Sequence, residues 1–189
     1  MPETTIPDIP PDRFRSVVTD HQRTIYFVCR DLTGNHHDAE DLAQDVFVKA
    51  YHALHTLNGP LDNKPLVSGW LRRIAVNTYL NDRRAKKRTH VSVFPEEADA
   101  SRPDAFGTAP SQTDTMADAS IVQSRIARGL GVLTERERAA FTLRHFHGLP
   151  VQETAASLNV APGTVKSLLH RAVRKLQVEL SHLKEELTS

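Results

Sequence analysis

Apolar residues in this chain recur at helical spacing through most of its length and nowhere alternate over a useful stretch. That feature excludes sandwiches, barrels and strand–helix–strand units, because a half-buried strand needs a period of two. From residue 12 to 33, Phe14, Val17, Val18, Ile25, Val28 and Leu32 define one face. Gly34 and Asn35 stop that helix, since both tolerate the left-handed conformation found just past helix ends. Asp38 is expected to open a second helix, with acids in its first turn favoured by the helix dipole. Its stripe is Ala39, Leu42, Ala43, Val46, Ala50 and Ala53. The stretch NGPLDNKP breaks the pattern, and GWLRRIAVNTYLNDRRAKKR forms the next helix, with Val67, Leu71, Ile74 and Thr78 on its packed side. Helical patterning returns from Ile121 to about Leu187.

Charge divides the chain in the same places. Residues 12–90 hold 13 Lys or Arg against 9 acids, residues 91–120 hold Arg102 against six acids, and residues 121–189 hold 10 basic residues against 6 acids. The formal net charge of +1 hides two basic blocks around an acidic connector. Residues 91–119 carry Pro95, Pro103, Gly107 and Pro110 among small polar residues, a composition expected to stay a flexible linker. The expected organisation is all-α: a disordered tail over 1–11, a helical domain over 12–90, the linker over 91–119, and a second helical domain over 120–183. The single cysteine, Cys29, allows no internal disulfide and sits in an apolar run, so it reads as a core residue of a cytoplasmic protein. No run approaches the length of a bilayer span, and the Pro-rich, acidic N-terminus does not look like a secretory signal.

The last block has the most readable mechanics. Thr134-Glu-Arg-Glu137 is a capping box that starts a helix ending near Gly148. VQETAASL makes a short helix, NVAPG a turn with Pro162 where its missing N–H costs nothing, and GTVKSLLHRAVRKL a longer helix. That is a helix-turn-helix. Val165, Leu169, Ala172 and Leu176 are expected to be buried, while Lys166, Ser167, His170, Arg171 and Arg174 gather on the other side. Such a face suits the major groove, where cations meet phosphates and Arg or Lys reach guanine edges. The tryptophan helix reads the same way. Arg73, Asn77, Leu80 and Arg84 form a column with Trp70 at its border, and Arg83, Lys86, Lys87 and Arg88 extend the charge. Asparagine can pair with a base edge through its two-faced amide, and the cations can hold phosphates.

Three motifs, GNHHDAEDLAQDVFVKAYHAL, GWLRRIAVNTYLNDRR and LTERERAAFTLRHFHGLPVQETAASLNVAPGTVKSLLHRAVRKL, together resemble an extracytoplasmic-function sigma factor of bacterial RNA polymerase. The resemblance covers most of residues 12–180. It implies a compact, two-domain, non-enzymatic member of the sigma-70 family that directs core polymerase to promoters and helps melt the minus-ten element. Asp41, Leu42, Ala43, Gln44, Asp45 and Val48 match the segment that binds the largest core subunit. Trp70, Arg73, Asn77, Arg83, Arg84, Lys86 and Lys87 fall in the minus-ten segment, with Asn77 at a base-reading position and Trp70 as an anchor. Lys166, Ser167, His170, Arg171 and Arg174 face the minus-thirty-five element. The linker resembles a connector that threads the polymerase. The partners implied are core polymerase, promoter DNA and an anti-sigma factor, with no cofactor, metal, membrane insertion or obligate homo-oligomer.

Two departures from the family pattern bear on specificity. The loop TLNGPLDNKPLVSG is long and places Leu57 and Leu66 where aromatics are frequent, which touches base preference. Leu168 stands where Arg is frequent, which removes a DNA contact. Two other readings compete. The helix-turn-helix also resembles the output domain of LuxR-type regulators, but those carry an α/β or ligand-binding domain upstream. His36, His37, Asp38, Glu40 and Asp41 could suggest a metal site, but adjacent residues on a helix point about 100° apart and no second ligand cluster accompanies them.

Overall fold

The computed structural model describes residues 11–93 and 129–186, and every regular element among them is helical. The first element, α1, spans Pro11–Thr33 and buries Phe14, Val17, Ile25, Val28, Cys29 and Leu32. Pro11 is therefore its first residue and not part of a preceding tail, a position where proline's fixed φ suits the helix and its missing N–H is not needed. Gly34, at φ 81, turns the chain out of α1.

The next helix, α2, spans His36–His52 and starts two residues before the expected Asp38. Asn35 is its cap, in extended conformation, and its side-chain oxygen accepts the Asp38 N–H at 2.8 Å. The Asn35 amide in turn donates to the Asp38 carboxylate at 2.8 Å. Asp38 is thus the third residue of the helix, and its carboxylate accepts from the side-chain amide of its cap rather than from the cap's backbone N–H. The apolar stripe holds over Ala39, Leu42, Ala43, Val46 and Ala50, which are buried, but Ala53, expected on it, is the half-buried C-cap just past the helix.

The third helix, α3, spans Lys64–Val93, so residues 91–93 of the expected linker are helical. Its N-terminus is capped by Asn63, whose side chain accepts the Leu66 N–H. In the loop before it, Gly59 has φ 145, and a Cβ there would lie 2.6 Å from Leu66 Cδ2. The positive φ favours glycine there, Leu66 lies against the loop, and Leu57 packs on the core. The expected linker from residue 94 onward and the tail over 1–10 lie outside the described residues.

In the C-terminal half, Thr134 caps α4, Glu135–Phe141, with both halves of the capping box formed. A π turn, Thr142–Phe146, carries the helix on, and Gly148 at φ 66 ends it. The short α5, Val151–Leu158, ends on Asn159 in the left-handed region at φ 53 and ψ 50. Asparagine tolerates that conformation, and the Val160 N–H returns to Ala155 O at 3.0 Å. Pro162 then begins α6, Pro162–Glu186. Val165 and Ala172 are fully buried, as expected, and Leu169 and Leu176 are half-buried.

The two helical groups share one apolar core. Ala139, Ala140, Leu143, Leu149, Ala155, Leu158, Val165 and Leu168 are continuous with Val67, Leu71, Ala75, Val76 and the buried faces of α1 and α2. A polar seam borders it. Tyr79 of α3, 2% exposed, donates its hydroxyl to the Glu135 carboxylate of α4. The buried Arg138 guanidinium donates to the Tyr79 oxygen at 3.3 Å and to Leu130 O at 2.9 and 3.1 Å. Near the other end of the seam, His147 Nε2 lies 2.9 Å from an Asp31 carboxylate oxygen of α1. Tyr79, Glu135 and Arg138 satisfy one another and Leu130 O there, whereas the buried Arg72 Nε, Thr142 Oγ1 and (despite its closeness to Asp31) His147 Nε2 make no hydrogen bond within the described residues.

Candidate functional site

The residues expected to meet core polymerase separate by burial. Asp41, Gln44, Asp45 and Val48 are exposed on α2, and Val48 shows 58% of its surface. Leu42 and Ala43 are not on that face. Both are buried against α1 and α3, because they belong to the stripe that a helical period sets opposite Asp41 and Asp45. They hold the face in place and do not form it.

Between α2 and α3 runs an open cleft of about 390 Å³. Asp38, Asp41, Asp45 and Lys49 line it from α2, and Asn81, Asp82, Arg83 and Lys86 line it from α3. Acidic and basic side chains face each other across it, so the outward acids of α2 adjoin the basic stretch of α3.

Along α3 the expected column is broken in one place. Arg73 and Arg84 are exposed and Asn77 is half-exposed, but Leu80 is 6% exposed and belongs to the core. The reason is rotation: Leu80 follows Tyr79 and Val76 onto the buried side rather than Asn77 onto the open one. Trp70 is half-buried and packs on the core, and its indole N–H donates to Thr56 Oγ1 at 3.1 Å. It ties the preceding loop to α3, as an anchor should. Arg83 is half-buried, with its guanidinium 5.6 Å from the centre of the Tyr79 ring, a cation–π distance. Lys86 pairs with Asp82 at 3.0 Å, on the surface. Arg84, Lys87 and Arg88 are exposed, and no carboxylate among the described residues stands within ion-pair reach of them.

Arg72, one residue before that column, was not expected to matter. Its side chain is half-buried on α3, and burial pulls it below its usual range while Glu153 of α5 opposes the shift. Tyr79 is pushed up, first by burial, with Arg138 opposing and Glu135 adding to the rise, so it stays a neutral hydroxyl donor. Cys29 is fully buried, and loss of solvation pushes its thiol up to about 12. A thiol so placed is inert.

On α6, Lys166, Ser167, His170, Arg171 and Arg174 are all exposed, as expected of a groove-facing helix. Leu168 is not. It is 5% exposed and part of the shared core, so no DNA contact could come from this position as folded. The leucine here serves packing in the core rather than a contact to DNA.

The least anticipated feature lies beneath that face. Glu137, the capping-box residue of α4, is 3% exposed. One of its oxygens receives the Thr134 N–H at 3.0 Å and Lys175 Nζ at 2.8 Å. The other lies 3.4 Å from Arg171 Nε. Burial alone would raise this carboxyl, but the bond from Lys175 and the bonds from Thr134 hold it below its ordinary value. A capping motif in α4 thus also holds two cations of α6, 38 positions away in the case of Lys175. The motif shows in the sequence, but its second use does not, because nothing local signals which turn of α6 crosses it.

His36, Asp38 and Glu40 have structural uses: His36 Nδ1 bonds the Tyr26 hydroxyl at 2.8 Å, His36 Nε2 pairs with Glu40 at 3.3 Å, and Asp38 serves the cap.

Comparison with known proteins agrees with this geometry. Residues 17–89 match the Sigma-70 region 2 family and residues 122–176 match Sigma-70, region 4. The RNA polymerase sigma-E factor of Streptomyces avermitilis is 34% identical over 167 residues, covering 88% of this chain and 84% of that protein. The extracytoplasmic-function (ECF) RNA polymerase sigma factor SigE of Mycolicibacterium smegmatis is 31% identical over 161 residues, covering 85% of this chain and 59% of that longer protein. In fold, the chain is similar to the sigma factor RpoE of Bartonella quintana, solved in complex with the anti-sigma factor NepR, at a TM-score of 0.64 and 24% identity over 89% of this chain and 96% of that one. A region 2 over 17–89 is what a LuxR-type regulator lacks, and that alternative is not supported. The chain belongs to the sigma-70 family, among its extracytoplasmic-function members, and is an alternative, non-enzymatic sigma factor that directs RNA polymerase to promoters.

Proposed function

We propose a division of labour among the residues of this sigma factor. The exposed face of α2, Asp41, Gln44, Asp45 and Val48, binds core polymerase, with Leu42 and Ala43 supporting it from beneath. The residues 12–90 carry this contact and the minus-ten contact, and residues 120–183 carry the minus-thirty-five contact. On α3, Asn77 and Arg73 meet the minus-ten strand, Trp70 anchors the loop beside them, and Arg83, Arg84, Lys86 and Lys87 meet phosphates. On α6, Lys166, Ser167, His170, Arg171 and Arg174 enter the major groove. The protein works in the cytoplasm, and no helix among the described residues is long and apolar enough to cross a membrane. Its activity is restrained by an anti-sigma factor, as the Bartonella protein's structure was solved with one.

One observation carries this reading: the same α3 that buries Leu71, Ala75, Val76 and Tyr79 leaves Arg73, Asn77 and Arg84 on a side open to a ligand. A test is transcription in vitro with core polymerase and a promoter library, comparing the protein with its Asn77→Ala variant. Promoter opening, read by permanganate reactivity in the minus-ten strand, should fall while binding to minus-thirty-five duplex persists. Normal opening by the variant with unchanged base preference would reduce α3 to scaffold. For the polymerase contact, Asp41→Arg with Gln44→Arg should weaken capture by core enzyme without loss of helicity, since both side chains face solvent.

A further inference from the structure

The contacts of Glu137 point to a second role for this residue: it positions Arg171 for base reading, holding the side chain in its DNA-ready conformation before DNA arrives. This rests on the proposed reading of Arg171 as a groove contact and adds to it a residue that never touches DNA.

The geometry is specific. Glu137 is 3% exposed, whereas the Arg171 side chain is 59% exposed, so the buried carboxylate holds the base of a guanidinium whose far end is in solvent. The ion pair is made at Nε, 3.4 Å from the carboxylate. An end-on fork onto a guanine uses the two terminal nitrogens, so the pair can persist while the fork is made. The carboxylate cannot swing away, because its second oxygen is held by the Thr134 N–H and by Lys175. An arginine already fixed at its waist loses less rotamer freedom on binding, which favours a correctly placed base over any phosphate within reach. Lys166, His170 and Arg174 have no such restraint among the described residues, so base selectivity should concentrate at Arg171.

Glu137→Gln separates this role from capping. Glutamine serves as well as glutamate at that place in a capping box, so the helix start survives while the charge that holds Arg171 is lost. The assay is selection from a pool of duplexes randomised through the minus-thirty-five element, by full-length protein with core polymerase, beside Arg171→Ala and the double variant. Glu137→Gln should lower base preference several-fold at the one or two positions that Arg171→Ala affects. It should also tighten binding to unrelated duplex and steepen the salt dependence, by up to about one unit, as a released arginine seeks phosphate. The double variant should show no further loss of preference beyond Arg171→Ala. A residue that only stabilised the fold would lower all binding and leave the selected sequence unchanged. Should Glu137→Gln fail to fold, Glu137→Asp keeps charge and cap but withdraws the carboxylate by one methylene, and should relax the same positions partially. Unchanged preference in the folded Glu137 variant, with Arg171→Ala relaxing it, overturns the positioning role alone. An Arg171→Ala variant that selects the same sequence as the parent overturns both the positioning role and the base-reading role beneath it.

Discussion

The two basic helices of this protein hold their charge in opposite ways. At the end of α3, Arg84, Lys87 and Arg88 project into solvent with no carboxylate among the described residues to direct them. On α6, Arg171 and Lys175 converge on one buried carboxylate, which itself is part of the start of another helix. A mobile cation finds a phosphate wherever the backbone passes, and carries no sequence information. A restrained one can refuse a wrong base. Surface composition alone would rate the two helices alike; what distinguishes them is whether a side chain is anchored to the core.

The largest expected effect lies at the seam that fixes this anchoring. Arg138→Ala would leave the Leu130 carbonyl and the Tyr79 hydroxyl without their buried partner, and should cost about 2–4 kcal/mol of stability. Arg84→Ala, at an exposed site on α3, should change stability by less than about 0.5 kcal/mol. Urea midpoints compare the two. Similar losses for both would mean that the seam contributes little to the fold.

Next in size is base reading. Arg171→Ala should remove about 1–3 kcal/mol of discrimination at one or two base pairs, as for a lost bidentate contact. Competition binding with single-base variants of the bound element measures it. A uniform loss across all sequences would place Arg171 with the phosphate contacts and erase the distinction from α3.

The cations of α3 should behave differently. Lys86→Ala and Lys87→Ala should each weaken binding to all templates and make the salt dependence shallower by about one unit of slope. The exposed Lys86–Asp82 pair makes Lys86 the weaker of the two, since part of its charge is already met. A change in sequence preference on replacing either lysine would contradict the comparison.

The smallest effect is on pH dependence. The Glu137 carboxyl lies below its ordinary value of 4.5 in the folded protein, so the folded state favours the charged form. The stability this contributes is complete above 4.5 and is lost as pH falls through the lower folded value. His21 acts in the same direction at higher pH. Burial lowers it first, with Asp20 opposing, so the folded state prefers neutral imidazole and loses stability as pH drops below 6.5. Thermal midpoints should therefore fall in two stages on acidification, with Glu137→Gln abolishing part of the lower one only. A midpoint that stayed flat from pH 7 to pH 5 would deny the His21 linkage, and one in which Glu137→Gln left the fall below pH 4.5 unchanged would deny that of Glu137.

Much of this fold is legible in the sequence. The helical period placed most of the cores of α1 and α2, missing on Val18 and Ala53, which are half-buried, while the capping box marked α4 and the turn with Pro162 marked the helix-turn-helix, because each signal acts within a few residues along the chain. The exposed sides of α2 and α6 followed from the same period. Local rules failed where rotation or partnership was decided at a distance. Asn35 rather than Asp38 caps α2, because either residue could have served and only the backbone conformation at Asn35 chose between them. Leu80 and Leu168 turned inward because each lies on the side of its helix that faces the shared core.

Neighbours along the chain settle which segments are helices, which of their faces are apolar and where positive charge collects, since periods of 3.6 residues and capping contacts are local. Packing between distant segments settles that Tyr79 and Arg138 bridge the halves, that Arg72 is half-buried beside α5, and that Glu137 holds Arg171. Those outcomes depend on which turn of one helix crosses which turn of another. That crossing is set by packing of the whole core, which no short stretch of sequence contains.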